Sequence, residues 1–280
     1  MLDALFLKSF ENDLKRFFEE DDLSRNSYYI ATLPKDEVTA TLKIKSPLIL
    51  SGLPFFVASF NFLGADLKYS DFESFEGRRF KPGDEIKFKL PFAIALTGER
   101  VALNLLQRST SVSTYTSQFV EAAGSKRVNI LDTRKTTPGL RSVEKYAVRL
   151  GGATNHRFGQ ADAWMIKDNH KSFFGSLEAA WAHFKSMQSF YAPIVVEIHS
   201  MDEFKKAIEL GITTVMLDNF SPEQITEAVK LKPMGMTIEI SGGLKLDTIK
   251  NYLIDGVDAL SIGSLTHSAP HVDISLKFKR

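Results

Sequence analysis

The chain has 280 residues, 44% of them apolar and 25% charged, with a formal net charge of +1. That suits one large or two unequal globular domains and excludes disorder, and with no global basic excess no nucleic-acid partner is expected. It contains no cysteine, which removes disulfides, thiol nucleophiles and Cys–zinc sites together.

In chain order, Leu2, Phe6, Phe10, Leu14, Phe17 and Phe18 recur at near-helical spacing, which predicts a helix packed on a core or, as the alternative, lying on a membrane surface. The start lacks a signal-peptide apolar region and no apolar run reaches membrane length, so the expectation is a cytoplasmic protein with no membrane partner. Glu19 to Arg25 is a polar break, and Val38, Ala40, Leu42 and Ile44 alternate as a strand. Gly52-Leu53-Pro54 opens an apolar stretch to Phe62. Phe72 to Asp84 reads as turns, and Ile86, Phe88 and Leu90 alternate again. A long helical pattern from Thr97 to Ala123 follows, with a break expected at Ser109 to Ser113. These elements predict an α+β domain over 1–108.

Beyond it, strands alternate with helices. The strands expected are Val128–Leu131, Ala163–Ile166, Ile194–Ile198, Thr214–Leu217, Thr237–Ile240 and Ala259–Ile262. The helices expected are Leu140–Leu150, Leu177–Gln188, Asp202–Leu210, Pro222–Leu231 and Leu246–Leu253. Ser221-Pro222-Glu223-Gln224 is a helix start, with a Ser cap, Pro first and Gln closing a capping box. Repeated βα units imply parallel strands, and six of them suggest a TIM-like α/β barrel over 109–270. The alternating tail, Val272 to Phe278, is a further strand candidate.

In such a barrel the chemistry sits at the C-terminal strand ends. Those ends carry Asp132-Thr133-Arg134-Lys135, Lys167, Glu197, Asp218, Ser241-Gly242-Gly243 and Gly263-Ser264, so they sort into cations, two acids and Gly/Ser turns. Arginine forks suit carboxylate and phosphate, and lysine adds a point charge. The Gly/Ser turns read either as a phosphate cradle of backbone N–H groups or as tight turns that need glycine. His267 could donate to the same phosphate or be an ordinary loop residue. Glu197 and Asp218 follow apolar strands and need partners, which ribose hydroxyls with Mg²⁺ or a neighbouring lysine would supply. Arg141, Lys145 and Arg149 read as a solvated helix face, and His183 and His199 as incidental.

The stretch 129–170 is the most specific. Its DTRKTTPGLR, GGATNHRFG and IKDNH segments, in this order and spacing, resemble the quinolinate phosphoribosyltransferase family, over about Gly52 to Ser275. The resemblance implies an incomplete TIM-like α/β barrel of six to seven parallel strands, preceded by an α+β open-faced sandwich to which residues 271–280 return. It implies phosphoribosyl transfer from phosphoribosyl pyrophosphate to quinolinate with decarboxylation, giving nicotinate mononucleotide for NAD biosynthesis, with Mg²⁺. On this reading Arg134, His156 and Arg157 hold quinolinate's carboxylates. Lys135 and Lys167 reach phosphates and the reacting centre, with Thr133 in the same substrate-binding segment. Glu197 and Asp218 face the ribose and hold the metal, directly or through substrate or water. Ser241, Gly242, Gly243, Gly263, Ser264 and His267 take phosphate. Asp168, Asn169 and His170 either orient Lys167 or bind phosphate. Arg100 enters the neighbouring subunit's site, so a homodimer with shared sites is implied. The segments Glu19–Arg25 and Ser109–Thr114, and Ala153, depart from the family pattern. The alternatives are a molybdenum-transport relative, a Schiff-base aldolase using Lys167, and a non-catalytic ligand-binding relative.

Overall fold

The structure, a computed structural model, describes residues 4–124 and 127–280, with side chains from residue 10 in the N-terminal helix. Leu2 and the side chain of Phe6 therefore lie outside the described residues. The chain forms two compact units. One comprises the residues up to Ser117, Thr137–Gly152 and Ala269–Arg280, and the other Gln118–Thr136 and Ala153–Ser268.

In the first unit, helix α1 (Ala4–Glu20) is followed by the short α2 (Ser27–Thr32), then β1 (Glu37–Ile44), β2 (Leu48–Ile49) and α3 (Leu53–Phe62). Strands β3 (Arg79–Phe80) and β4 (Glu85–Pro91) precede α4 (Phe92–Ala123). The apolar face of α1 is buried at Phe10, Leu14 and Phe18, with the Phe10 ring 4.9 Å from that of Phe55. The face packs on a core, which decides against the membrane-surface alternative. Helix α3 is buried on every side, at Leu53, Phe55, Phe56, Val57 and Phe60, so its sequence shows apolarity without a period.

Helix α4 runs unbroken through Ser109–Ser113, against expectation. Serine and threonine favour helix ends because their hydroxyls compete for backbone groups. Here those hydroxyls have partners across the unit. Thr110 Oγ1 donates to Ser51 O at 3.0 Å, Ser113 Oγ to Ile49 O at 2.7 Å, and Ser111 Oγ accepts from Val272 N at 3.1 Å. The small side chains bring the helix close to neighbouring backbone and satisfy it.

Helix α5 (Arg141–Leu150) holds a second correction. Lys145 is 2% exposed, so the expected solvated basic face is not one. Its neighbour Glu144 is also buried and accepts from Arg108 Nε and Nη2 at 2.8 and 2.6 Å.

The second unit is a parallel sheet built from β5 (Asn129–Leu131), β6 (Trp164–Ile166), β7 (Ile194–Ile198), β8 (Thr214–Asp218), β9 (Thr237–Ser241) and β10 (Ala259–Ser261), in the order β5-β10-β9-β8-β7-β6. The six expected strands are these six. A seventh position is reduced to Thr154, which bridges Leu131 in parallel. Helices α6 (Asp168–Phe174), α7 (Leu177–Ser186), α8 (Met201–Glu209), α9 (Pro222–Leu231) and the four-residue α10 (Ser264–His267) complete the βα units. Ser221 and Gln224 form the expected capping box. The helix expected over Leu246–Leu253 is only a 3₁₀ turn, Ile249–Tyr252. Ile249 alone in that turn is buried, too little to anchor an α-helical face. Among the described residues no helix is long and apolar enough to cross a membrane.

In the first unit, the tail forms β11 (Ile274–Lys279), which pairs antiparallel with β1 in the order β11-β1-β4.

Candidate active site

Strand register assembles the site. Ile166 pairs with Val196, so the next residues, Lys167 and Glu197, stand level. Ile198 pairs with Leu217, which sets His199 level with Asp218. Asp218 pairs with Ser241, so the second acid adjoins the Gly/Ser turn. Period-two alternation puts Met165, Val195 and Met216 on the same face one layer deeper, where they form an apolar cluster.

Above that floor opens a cavity of about 630 Å³. It is lined by the cations Arg134, Lys135, Arg157 and Lys167, by His156 and His267, by Glu197 and Asp218, and by Thr133 and the turns Ser241-Gly242-Gly243 and Gly263-Ser264. The expected site residues therefore converge, with one exception. Arg100 lies exposed on α4 in the first unit and is not among the lining residues. Lys245, just past the Ser-Gly-Gly turn, adds a fifth cation that sequence reasoning missed.

The cations are held differently. Lys167 Nζ pairs with Glu197 Oε2, and its backbone N–H donates to His170 Nδ1 at 3.0 Å. His170 is thus committed to starting α6. Arg157 donates from Nη1 to Ala163 O at 2.7 Å, so part of its fork is already occupied. Burial, and then the nearby Arg134 charge, lower the Arg157 guanidinium from its ordinary value, a field that favours an anion between them. Arg134 Nε and Ser264 Oγ are buried without a hydrogen-bond partner. Unsatisfied buried donors are costly unless something fills them.

Asp132 is fully buried and accepts from Asn155 Nδ2 at 2.6 Å and His156 N at 2.9 Å. It fastens the 155–157 loop to the end of β5. His156 accepts the Arg157 N–H on Nδ1 at 2.6 Å and places Nε2 3.3 Å from Glu239 Oε2. Glu239 is a buried third acid that also accepts from Ser261 Oγ. Its only sequence signal was a charge inside the apolar strand Thr237–Ser241.

The Gly/Ser turns use glycine in two different ways. Gly242 has φ +97°, and a Cβ there would meet Asn219 Oδ1 at 2.3 Å. Gly263 has ordinary φ, but a Cβ would meet Lys135 Cδ at 3.0 Å, so its bareness lets the lysine stem pass.

His199, read as incidental, belongs to the acid centre. Its Nε2 lies 3.3 Å from Glu197 Oε1 and 3.7 Å from Asp218 Oδ2.

Such a cavity, at the C-terminal ends of parallel strands and cationic around an acid pair, defines an α/β-barrel protein built to hold phosphorylated, polyanionic small molecules. The descriptions "Quinolinate phosphoribosyl transferase, C-terminal domain" and "N-terminal domain" match residues 112–277 and 26–110. The chain belongs to the quinolinate phosphoribosyltransferase family. It is 37% identical over 268 residues to a Bacillus subtilis (strain 168) protein named a probable nicotinate-nucleotide pyrophosphorylase (carboxylating), covering 94% of this chain and 91% of the relative. It is 38% identical to the Rattus norvegicus nicotinate-nucleotide pyrophosphorylase (carboxylating), over 85% of this chain and 81% of that one. The crystal structure of NadC from Streptococcus pyogenes superposes with a TM-score of 0.84 at 36% identity, covering 97% and 98% of the two chains.

Proposed function

We propose that this chain transfers the phosphoribosyl group of phosphoribosyl pyrophosphate to quinolinate and removes one carboxylate, giving nicotinate mononucleotide, pyrophosphate and CO₂. The observation that carries the reading is the cavity's donor set. Five cations surround two carboxylates, and two of the four buried side-chain atoms without a hydrogen-bond partner among the described residues, Arg134 Nε and Ser264 Oγ, belong to residues that line it.

The roles are those the family resemblance implies, and the convergence of these residues on one cavity supports them. Arg134 and Arg157 hold the pyridine carboxylates, and His156, tied to Glu239, shapes that wall. The turns at Ser241–Gly243 and Gly263–Ser264, with His267, receive phosphate. Lys135 and Lys167 carry positive charge to where the C1–oxygen bond breaks and its electron pair leaves with pyrophosphate, a stabilisation that counts most where water is excluded. Glu197 and Asp218 face the ribose hydroxyls. The pyridine nitrogen's lone pair forms the new bond to C1. The quaternised ring then accepts the electron pair left by departing CO₂, and that carbon takes a proton. No enzyme nucleophile is needed, and positioning supplies much of the rate. The ion pair of Lys167 with Glu197 also speaks against a Schiff-base role, since an amine nucleophile must be uncharged.

Mg²⁺ fits this donor set. Glu197 Oε2 is taken by Lys167, but the Asp218 carboxylate and Glu197 Oε1 are hard oxygen donors beside the cavity, and Mg²⁺ takes one or two carboxylates plus substrate oxygens. When bound it would supply further positive charge for the departing pyrophosphate.

The test is product formation. Purified protein with Mg²⁺ should convert quinolinate and phosphoribosyl pyrophosphate into nicotinate mononucleotide and release CO₂. Equal use of nicotinate would overturn the reading, since two arginines should demand both carboxylates.

The same proposal includes a two-fold homodimer in which Arg100 serves the partner's site. Arg100→Ala and Lys135→Ala should each be nearly inactive alone. After refolding together, about half the dimers are mixed and about a quarter of all sites should recover. No recovery despite proven subunit exchange would remove Arg100 from any shared site.

A further inference from the structure

Beneath the acid pair lies a second charged cluster that the reaction as described does not use. Lys171, on α6, is buried. Its Nζ donates to Glu197 O at 3.1 Å and to the Glu203 carboxylate at 2.8 and 2.7 Å, and it lies 2.9 Å from His199 Nδ1. Glu203 in turn accepts the His199 backbone N–H at 2.8 Å. An ammonium group has three protons and no acceptor, and this one is paired with a carboxylate. His199 Nδ1 must therefore accept, and the ring's proton sits on Nε2. That nitrogen is the one beside Glu197 Oε1 and Asp218 Oδ2.

We infer that Lys171 and His199 are positioning residues for phosphoribosyl transfer: the buried ammonium locks the imidazole so that Nε2–H is offered to both acids. This rests on the reading that Glu197 and Asp218 face the ribose. Glu197 then has Lys167 paired on Oε2 and His199 Nε2 3.3 Å from Oε1. Asp218 Oδ2 accepts from Asn219 Nδ2 at 2.8 Å on its other flank. Two carboxylates this close repel each other. A neutral N–H aimed between them, 3.3 Å from one and 3.7 Å from the other, eases that repulsion without cancelling either charge, so both stay available to hydroxyls or to a substrate-borne cation. His199 does not touch substrate. It acts through the acids.

The neutral ring has two isosteres that separate its ends. Asparagine can still accept from Lys171 but is too short to reach the acids, whereas glutamine places an N–H near the Nε2 position. The first measurement is the ¹⁵N spectrum of the histidines, which should show His199 as the Nε2–H tautomer and lose that preference in Lys171→Met. The second is kinetic. His199→Asn should raise KM for phosphoribosyl pyrophosphate by about tenfold, the cost of one hydrogen bond to a charged group, with a much smaller change in KM for quinolinate. His199→Gln should recover most of that loss. A proton on Nδ1, equal KM changes for both substrates, or glutamine no better than asparagine would each overturn the inference. If the wild-type protein forms no nicotinate mononucleotide, the functional reading falls. The tautomer and the equilibrium affinity of the variants for phosphoribosyl pyrophosphate then still decide this inference.

Discussion

Two carboxylates, half-buried Glu76 in the first unit and buried Glu197 in the second, are solved in opposite ways. Glu76, in the first unit, is satisfied by neutral donors. It accepts from the backbone N–H groups of Gly52 and Leu53, at 2.7 and 3.0 Å, and from Tyr146 Oη at 2.9 Å. Burial raises its carboxyl above the ordinary value, ahead of the lowering by Gly52, Tyr146 and Leu53. Burial, then Glu76 and Glu73, pushes the nearby Tyr69 phenol up to about 12. Glu197, in the second unit, is more deeply buried, sits beside Lys167 and His199 and lines the cavity. A carboxylate satisfied by backbone and a phenol caps a helix start and is finished. One satisfied by partly exposed lysine and histidine side chains at a cavity wall can exchange them for a ligand.

The largest expected break in that contrast is Glu197→Gln. It should lower turnover by about 10²-fold, as removal of one preorganised charge does. The melting temperature should change little, because the Lys167 side chain left behind is 44% exposed. A large fall in stability with activity retained would make Glu197 the structural residue instead.

Next comes Arg157→Lys. Its fork is shared between Ala163 O and the cavity, a geometry a point charge cannot copy. Quinolinate use should weaken by about tenfold, the cost of one charged hydrogen bond. Phosphoribosyl pyrophosphate should be affected less, and equal loss for both substrates would contradict the role.

The smallest effect is a pH dependence at Glu76. Its folded carboxyl is raised above the ordinary value of 4.5. The native state therefore holds the proton to higher pH than the unfolded chain. From about pH 4.5 up to the raised value, this group's contribution to stability falls as pH rises. Glu76→Gln cannot titrate, so the melting-temperature difference, variant minus wild type, should be more positive near pH 7 than near pH 4. A flat difference would mean that burial does not govern this carboxyl.

The strand ends were legible because barrel chemistry follows contiguous strand-then-polar segments. Lys167 after Trp164–Ile166 and Asp218 at the end of Thr214–Asp218 could be read from neighbours alone. Their partners could not. Lys171 meets Glu203 and His199 from about thirty residues away, and no period marks that distance. Glu239 gains its role only where β9 pairs with β8 and β10 and its carboxylate meets His156 and Ser261.

The sequence by itself determined the alternation of strand and helix, the capping of α9 and the grouping of cations, acids and Gly/Ser turns at strand ends. Each of these is set by residues within one turn or one strand, where propensity and side-chain period act locally. Only the tertiary structure decided that α4 continues through its serines, that Lys145 is buried, that Thr154 stands where a seventh strand would, and that His199 joins the acids. Those outcomes depend on which distant groups satisfy a hydroxyl, a charge or a backbone amide, and that pairing exists only after the chain has folded.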